Sequence, residues 1–118
     1  MNGDFVKNEI LDIDELMIIV DHNKELLIDC FDLYLSNYSD ALIKMNEAIV
    51  NNNSQDLARS AHKFKSTMKY LAAHECAEIC SKLEVMGKEE SLKEAHQSLD
   101  ELSAKCNEIK IFIENNYK

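Results

Sequence analysis

Helix breakers are almost missing from this chain. Its 118 residues include no proline, and the only glycines are Gly3 and Gly87. Sheets and loop-rich folds need frequent turn residues, so this scarcity favours a few long helices joined by short connections. The hydrophobic pattern agrees, because apolar residues recur at spacings of three and four almost throughout.

A helix over about 23–51 carries the stripe Leu27, Phe31, Tyr34, Tyr38, Ala41, Met45 and Ala48. Three asparagines at 51–53 end it and offer an N-cap to the next helix. That helix, about 54–73, shows Leu57, Ala61, Phe64, Met68 and Leu71. A further one over about 75–86 shows Cys76, Ile79, Cys80, Leu83 and Met86, with Gly87 placed as a C-cap signal. Ser91 and Glu94 have capping-box spacing and are expected to open a last helix. Its seam is Leu92, Ala95, Leu99, Leu102, Cys106, Ile109 and Ile113. Four one-faced helices with short connections make an antiparallel up-down four-helix bundle at about 23–117.

The segment at about 9–20 differs. Ile10, Leu11, Ile13 and the run Leu16, Met17, Ile18, Ile19, Val20 leave little polar face. The expectation is a short N-terminal helix covering one end of the bundle. Either its outer side, Met17, Ile18 and Ile19, would be free to dock a partner, or the helix is simply buried by its own bundle. The whole chain, 1–118, reads as one domain, long enough to bury roughly two-thirds of its unfolded surface.

Charge narrows the function. The net charge of −9 argues against nucleic acid and against anionic membrane surfaces. The longest apolar run is five residues, far short of a membrane span, and the first residues lack a basic-then-apolar leader pattern. A cytoplasmic protein is therefore expected. Cys30, Cys76, Cys80 and Cys106 fall on or beside apolar stripes and read as small core residues, not as a disulfide framework. Cys76 and Cys80 with His74 lack a fourth ligand at the spacing structural zinc uses, and no inward Glu-x-x-His pair suggests a di-iron bundle, so no metal is expected.

Residues 57–74 break the acidic trend. They contain Arg59, Lys63, Lys65 and Lys69 and no acid. His62 lies among them. It follows the core position Ala61 and is rotated about 100° away from it, towards solvent. Arg59, Lys65, Ser66 and Lys69 stand at i−3, i+3, i+4 and i+7. His22 and His74 sit near helix ends, and His96 follows a core position, so capping or surface roles suit them. No acid within a turn of His62 on its own helix orients the ring as a general base, and no nucleophile pairs with it. An exposed imidazole among cations suits phosphoryl acceptance, and a plain solvated basic face is the alternative.

Residues 62–73, His-Lys-Phe-Lys-Ser-Thr-Met-Lys-Tyr-Leu-Ala-Ala, resemble the signature His-x-Leu-Lys-Gly-Ser-x-x-x-Leu-Gly-Ala of the histidine-containing phosphotransfer (HPt) family. The similarity extends through residues 53–62 and 77–87 and, more loosely, to the start of the chain. It implies a phosphorelay protein whose His62 accepts a phosphoryl group from a receiver-domain aspartate and passes it to another receiver. Lys65 would assist with phosphoryl charge, and Glu84, on the next helix, would hydrogen-bond to the ring. Arg59, Lys63, Ser66, Lys69 and Lys88 would lie near the phosphoryl group or the partner. The implied partners are response-regulator receiver domains and a hybrid histidine kinase. The protein would be a monomeric carrier without autonomous catalysis or a cofactor of its own, Mg²⁺ coming from the receiver. Ser66 and Ala72 depart from the signature's glycines. Alternatives are a non-phosphorylated adaptor bundle and the phospho-accepting domain of a chemotaxis-type histidine kinase.

Overall fold

A computed structural model describes residues 10–118, and these form five α-helices. They are α1 (Ile13–Ile19), α2 (Lys24–Val50), α3 (Ser54–Tyr70), α4 (His74–Lys88) and α5 (Ala95–Tyr117). No strand occurs among the described residues. In the bundle, α2 packs on α3, α3 on α4, α4 on α5, and α5 closes the ring against α2. Pairings confirm antiparallel neighbours. Asn46 meets His96 while Asp32 meets Lys118 across α2 and α5, and Ala58 meets Gly87 while Lys65 meets Glu84 across α3 and α4.

The expected stripes form the core. Leu57, Ala61, Phe64, Met68 and Leu71 are all buried, as are Leu99, Leu102, Cys106, Ile109 and Ile113. Tyr38, Ala41, Met86 and Leu92 are only partly buried at its margin. Tyr34 is buried and donates its hydroxyl to the carbonyl of Cys106 at 2.9 Å, so its one polar atom is satisfied across α2 and α5. Cys76, Cys80 and Cys106 are buried and free, and Cys30 is partly buried. Burial pushes the Cys80 thiol up to about 12, as expected of an inert core residue.

Side-chain caps open three helices, and the one at Asn53 falls in the asparagine cluster expected to supply it. Asp12, Asn23 and Asn53 accept backbone N–H groups of α1, α2 and α3 respectively. Helix ends do not use glycine. Residues Asp21, Asn52, Ala72 and Glu90 occupy the left-handed region at φ 57°, 55°, 57° and 55°. After α2, α3 and α4 the amides of the next two residues reach back to the helix in a Schellman pattern, for example Ala73 N–H to Met68 O at 2.9 Å.

Three boundary expectations are thereby corrected. Gly87 is not a C-cap: α4 runs through it to Lys88, and Glu90 makes the turn. The Ser91–Glu94 capping box does not form. The Ser91 amide is already spent closing α4 on Met86 O, and α5 begins at Ala95 with no side-chain cap bond. The third helix likewise stops at Tyr70, short of 73, because Ala72 turns left-handed.

Gly87 has a different task. A Cβ there would lie 2.6 Å from Ala58 N, 2.7 Å from Ser54 O and 2.9 Å from Ala58 Cα. All three are backbone atoms of α3, so α4 approaches α3 through a gap that only glycine leaves. This brings Glu84 and Lys88, on either side of Gly87, towards the face of α3 that carries His62.

The N-terminal helix is shorter than expected, Ile13–Ile19 rather than about 9–20, and residue 9 lies outside the described residues. It sits at the end of the bundle where α3 turns into α4. The Asp12 amide donates to Ala72 O at 2.9 Å, and Glu15 pairs with His74 at 2.7 Å. Leu11, Leu16 and Val20 are buried beneath it, while Ile18 and Ile19 face outward. No helix among the described residues is long and apolar enough to cross a membrane.

Candidate functional site

His62 sits midway along α3, one position past the buried Ala61, and its side chain is 62% exposed. The sequence offered no acid within a turn of it on its own helix, and α4 supplies one. Glu84 Oε2 lies 3.0 Å from His62 Nδ1. The side chain of Glu84 is only 8% exposed, and it is the single charged residue buried among those described.

A buried carboxylate needs compensation. Lys65 reaches Glu84 Oε1 at 2.8 Å from one turn along α3, and Lys88 reaches Oε2 at 3.1 Å from one turn along α4. The Lys65 hydrogen bond is the largest influence on the carboxyl group and outweighs burial. With Lys88 adding to it, the pKa falls from 4.5 to about 2. Glu84 is therefore ionised at neutral pH.

The ring's tautomer follows from this. An ionised carboxylate can only accept hydrogen bonds, so Nδ1 is the nitrogen that carries the proton. In the neutral ring the lone pair then resides on Nε2, at the solvent-facing side of an exposed side chain. The arrangement holds an imidazole in one orientation with its nucleophilic nitrogen outward. No base is needed to remove a proton from that nitrogen.

The remaining predicted residues divide. Arg59 is exposed and bound to Asp56 at 2.6 Å, turned along its own helix. Lys69 is exposed on the side of α3 that carries His62, with no carboxylate at ion-pair distance among the described residues. Ser66, one turn from His62, is exposed, and its hydroxyl lies 3.5 Å from the His62 carbonyl oxygen. Lys63 lies off to the α2 side, on the wall of a groove of about 630 Å³ between α2 and α3.

That groove bears on the docking expectation. Ile19 lines it, whereas Met17 packs partly against the core and Ile18 is exposed outside the groove lining. Leu26, Leu33 and Tyr70 also line it and are exposed. These three were not singled out by sequence. Leu26 and Leu33 each precede a core residue, Leu27 and Tyr34, and are seven apart, which is the signal of a second, narrower apolar stripe.

The His74, Cys76 and Cys80 combination does not assemble as a ligand set. Among the described residues, the three-residue grouping of potential ligand atoms is Asp12, Glu15 and His74. There Asp12 caps α1, and Glu15 pairs with His74.

Both the sequence and the fold resemble known proteins. The family model "Hpt domain" matches residues 29–111. The fold is similar to the histidine-containing phosphotransfer protein B (HptB) from Pseudomonas aeruginosa PAO1, with a TM-score of 0.84 at 19% identity, covering 90% of this chain and 92% of that one. It is also similar to the HPT domain of an Hpt sensor hybrid histidine kinase from Shewanella, with a TM-score of 0.75 at 16% identity, covering 93% of this chain and 98% of that one. Among curated proteins none matches the sequence.

Proposed function

The chain belongs to the Hpt domain family, whose members carry phosphoryl groups in phosphorelays, and we propose that His62 is the residue that takes the phosphoryl group, through Nε2. The observation that carries this reading is the bond from Nδ1 to the ionised Glu84, which leaves Nε2 outward on an exposed ring.

The step balances simply. The Nε2 lone pair attacks phosphorus, the P–N bond forms, and the P–O bond to the partner's aspartyl carboxylate breaks. The aspartate leaves as a carboxylate. Nδ1 keeps its proton, so the phosphorylated ring gains a positive charge beside the negative charge of Glu84. In the reverse step the same charge makes the imidazole a good leaving group. Glu84 thus orients the ring and balances it in both directions, while Lys65 and Lys88 keep Glu84 ionised.

The partner is a receiver domain, which supplies the phospho-aspartate and the Mg²⁺ that neutralises the moving phosphoryl group in line. This chain contributes no catalysis or metal of its own. The receiver would seat on the groove beside His62, meeting Ile19, Leu26, Leu33 and Tyr70, with Lys63 on its wall. The apolar stripes of the bundle are spent internally, which supports a monomer, and the net charge of −9 supports a cytoplasmic protein that avoids nucleic acid and anionic membranes.

Mixing the protein with a phosphorylated receiver domain and Mg²⁺ tests the reading. Acid-labile, base-stable label should appear on the protein and be absent from His62→Gln. Label that persists in His62→Gln would refute it.

A further inference from the structure

A phosphoryl group on Nε2 brings three oxygens that need donors, and most cations around His62 are already engaged. Lys65 and Lys88 are bound to Glu84, and Arg59 is bound to Asp56. Recruiting either lysine would take a partner from the buried carboxylate that orients the ring. Two donors remain on the stripe of His62 itself. Ser66 and Lys69 stand at i+4 and i+7, both exposed. Lys69 has no carboxylate at ion-pair distance among the described residues. The Ser66 hydroxyl rests 3.5 Å from the His62 carbonyl oxygen, at the long limit of a hydrogen bond, so little is lost by turning it outward.

Given His62 as the phosphoryl acceptor, on which this inference rests, we propose that the Ser66 hydroxyl and the Lys69 ammonium hold the phosphoryl oxygens after transfer, and that Ser66 sets how long His62 keeps its phosphoryl group. Loss to water breaks the P–N bond through a loose transition state. The phosphoryl group enters as a dianion and approaches metaphosphate, which carries one negative charge. Donors on its oxygens therefore stabilise the bound state more than the transition state, and hydrolysis slows. Glycine at position 66 offers no such donor.

The test uses phosphoramidate as a small phosphoryl donor, with no receiver present, and follows the decay of phosphohistidine by ³¹P NMR after the donor is removed. Ser66→Ala and Ser66→Gly should each shorten the half-life about fivefold, the factor one ordinary hydrogen bond is worth. Ser66→Thr should retain the long half-life, and Lys69→Gln should shorten it. Alanine and glycine change helix propensity in opposite directions, so a purely structural effect would split them. Equal half-lives for the parent, Ser66→Ala and Ser66→Gly overturn the proposal while leaving His62 as acceptor intact. So does Ser66→Thr decaying as fast as Ser66→Ala. No phosphohistidine in the parent, or equal labelling of His62→Gln, overturns the acceptor assignment and this inference with it.

Discussion

Replacing Gly87 with alanine sets two effects of opposite sign against each other. Gly87 lies inside α4, where alanine is the better helix former by about 1 kcal/mol. On propensity alone the variant would be more stable. The added Cβ, however, would lie 2.6, 2.7 and 2.9 Å from three backbone atoms of α3. Carbon atoms in ordinary contact stand about 3.5–4.0 Å apart, so the two helices must part locally by ~1 Å. No side-chain rotamer can relieve the clash, because every atom met is main chain. Overpacking of this kind costs about 1–3 kcal/mol, and a backbone-on-backbone clash belongs at the upper end. The net effect is a loss of about 2 kcal/mol, or a drop in Tm of about 8 °C for a domain of this size. The site should respond as well. Glu84 is three residues from Gly87 and Lys88 is adjacent, so widening the α3–α4 gap lengthens the 3.0 Å bond to His62. Thermal melts followed by circular dichroism give the first quantity, and the rate of His62 phosphorylation by phosphoramidate gives the second. A Tm equal to or above the parent's would show that α3 and α4 are not in close backbone contact and would refute the reasoning.

Further outcomes follow from the same structure. The folded-state pKa of Glu84, about 2, lies below its unfolded value of 4.5, so the unfolded chain takes up this proton first. The resulting stabilisation, about 3 kcal/mol at about 1.4 kcal/mol per pH unit, is complete above pH 4.5. It is lost as pH falls towards 2. Urea midpoints of the parent and Glu84→Gln should therefore differ most near pH 6, draw together as pH falls from 4.5 and converge only below pH 2, and a constant difference would contradict the linkage. Tyr34→Phe removes the hydroxyl bonded to Cys106 O and should cost about 1 kcal/mol in urea unfolding while leaving phosphorylation of His62 unchanged. A slower phosphorylation in that variant would mean the α2–α5 seam is coupled to the site.

How far the sequence revealed this molecule depended on whether a feature was local. The stripe Leu57, Ala61, Phe64, Met68 and Leu71 repeats at helical spacing and is wholly buried, so α3 and the outward turn of His62 were legible from periodicity alone. Glu84 was not. It follows the core residue Leu83, and nothing in the spacing of α4 distinguishes it from a solvated glutamate. Only resemblance to a family pointed to it, because its role arises between helices. Gly87 was misread for the same reason. Glycine after an apolar stripe commonly ends a helix, but here its missing side chain admits α3, which sequence spacing cannot register. Ser91 and Glu94 matched a capping box, yet the amide of Ser91 was consumed by the preceding helix. Leu26 and Leu33 were passed over, because only α3 beside them makes their stripe the wall of a groove.

The acceptor role of His62 is measured most directly by transfer from a phosphorylated receiver domain with Mg²⁺. It predicts acid-labile, base-stable label on the parent protein and none on His62→Gln, with the variant's fold unchanged by circular dichroism. Equal labelling of the parent and the folded His62→Gln variant would contradict it.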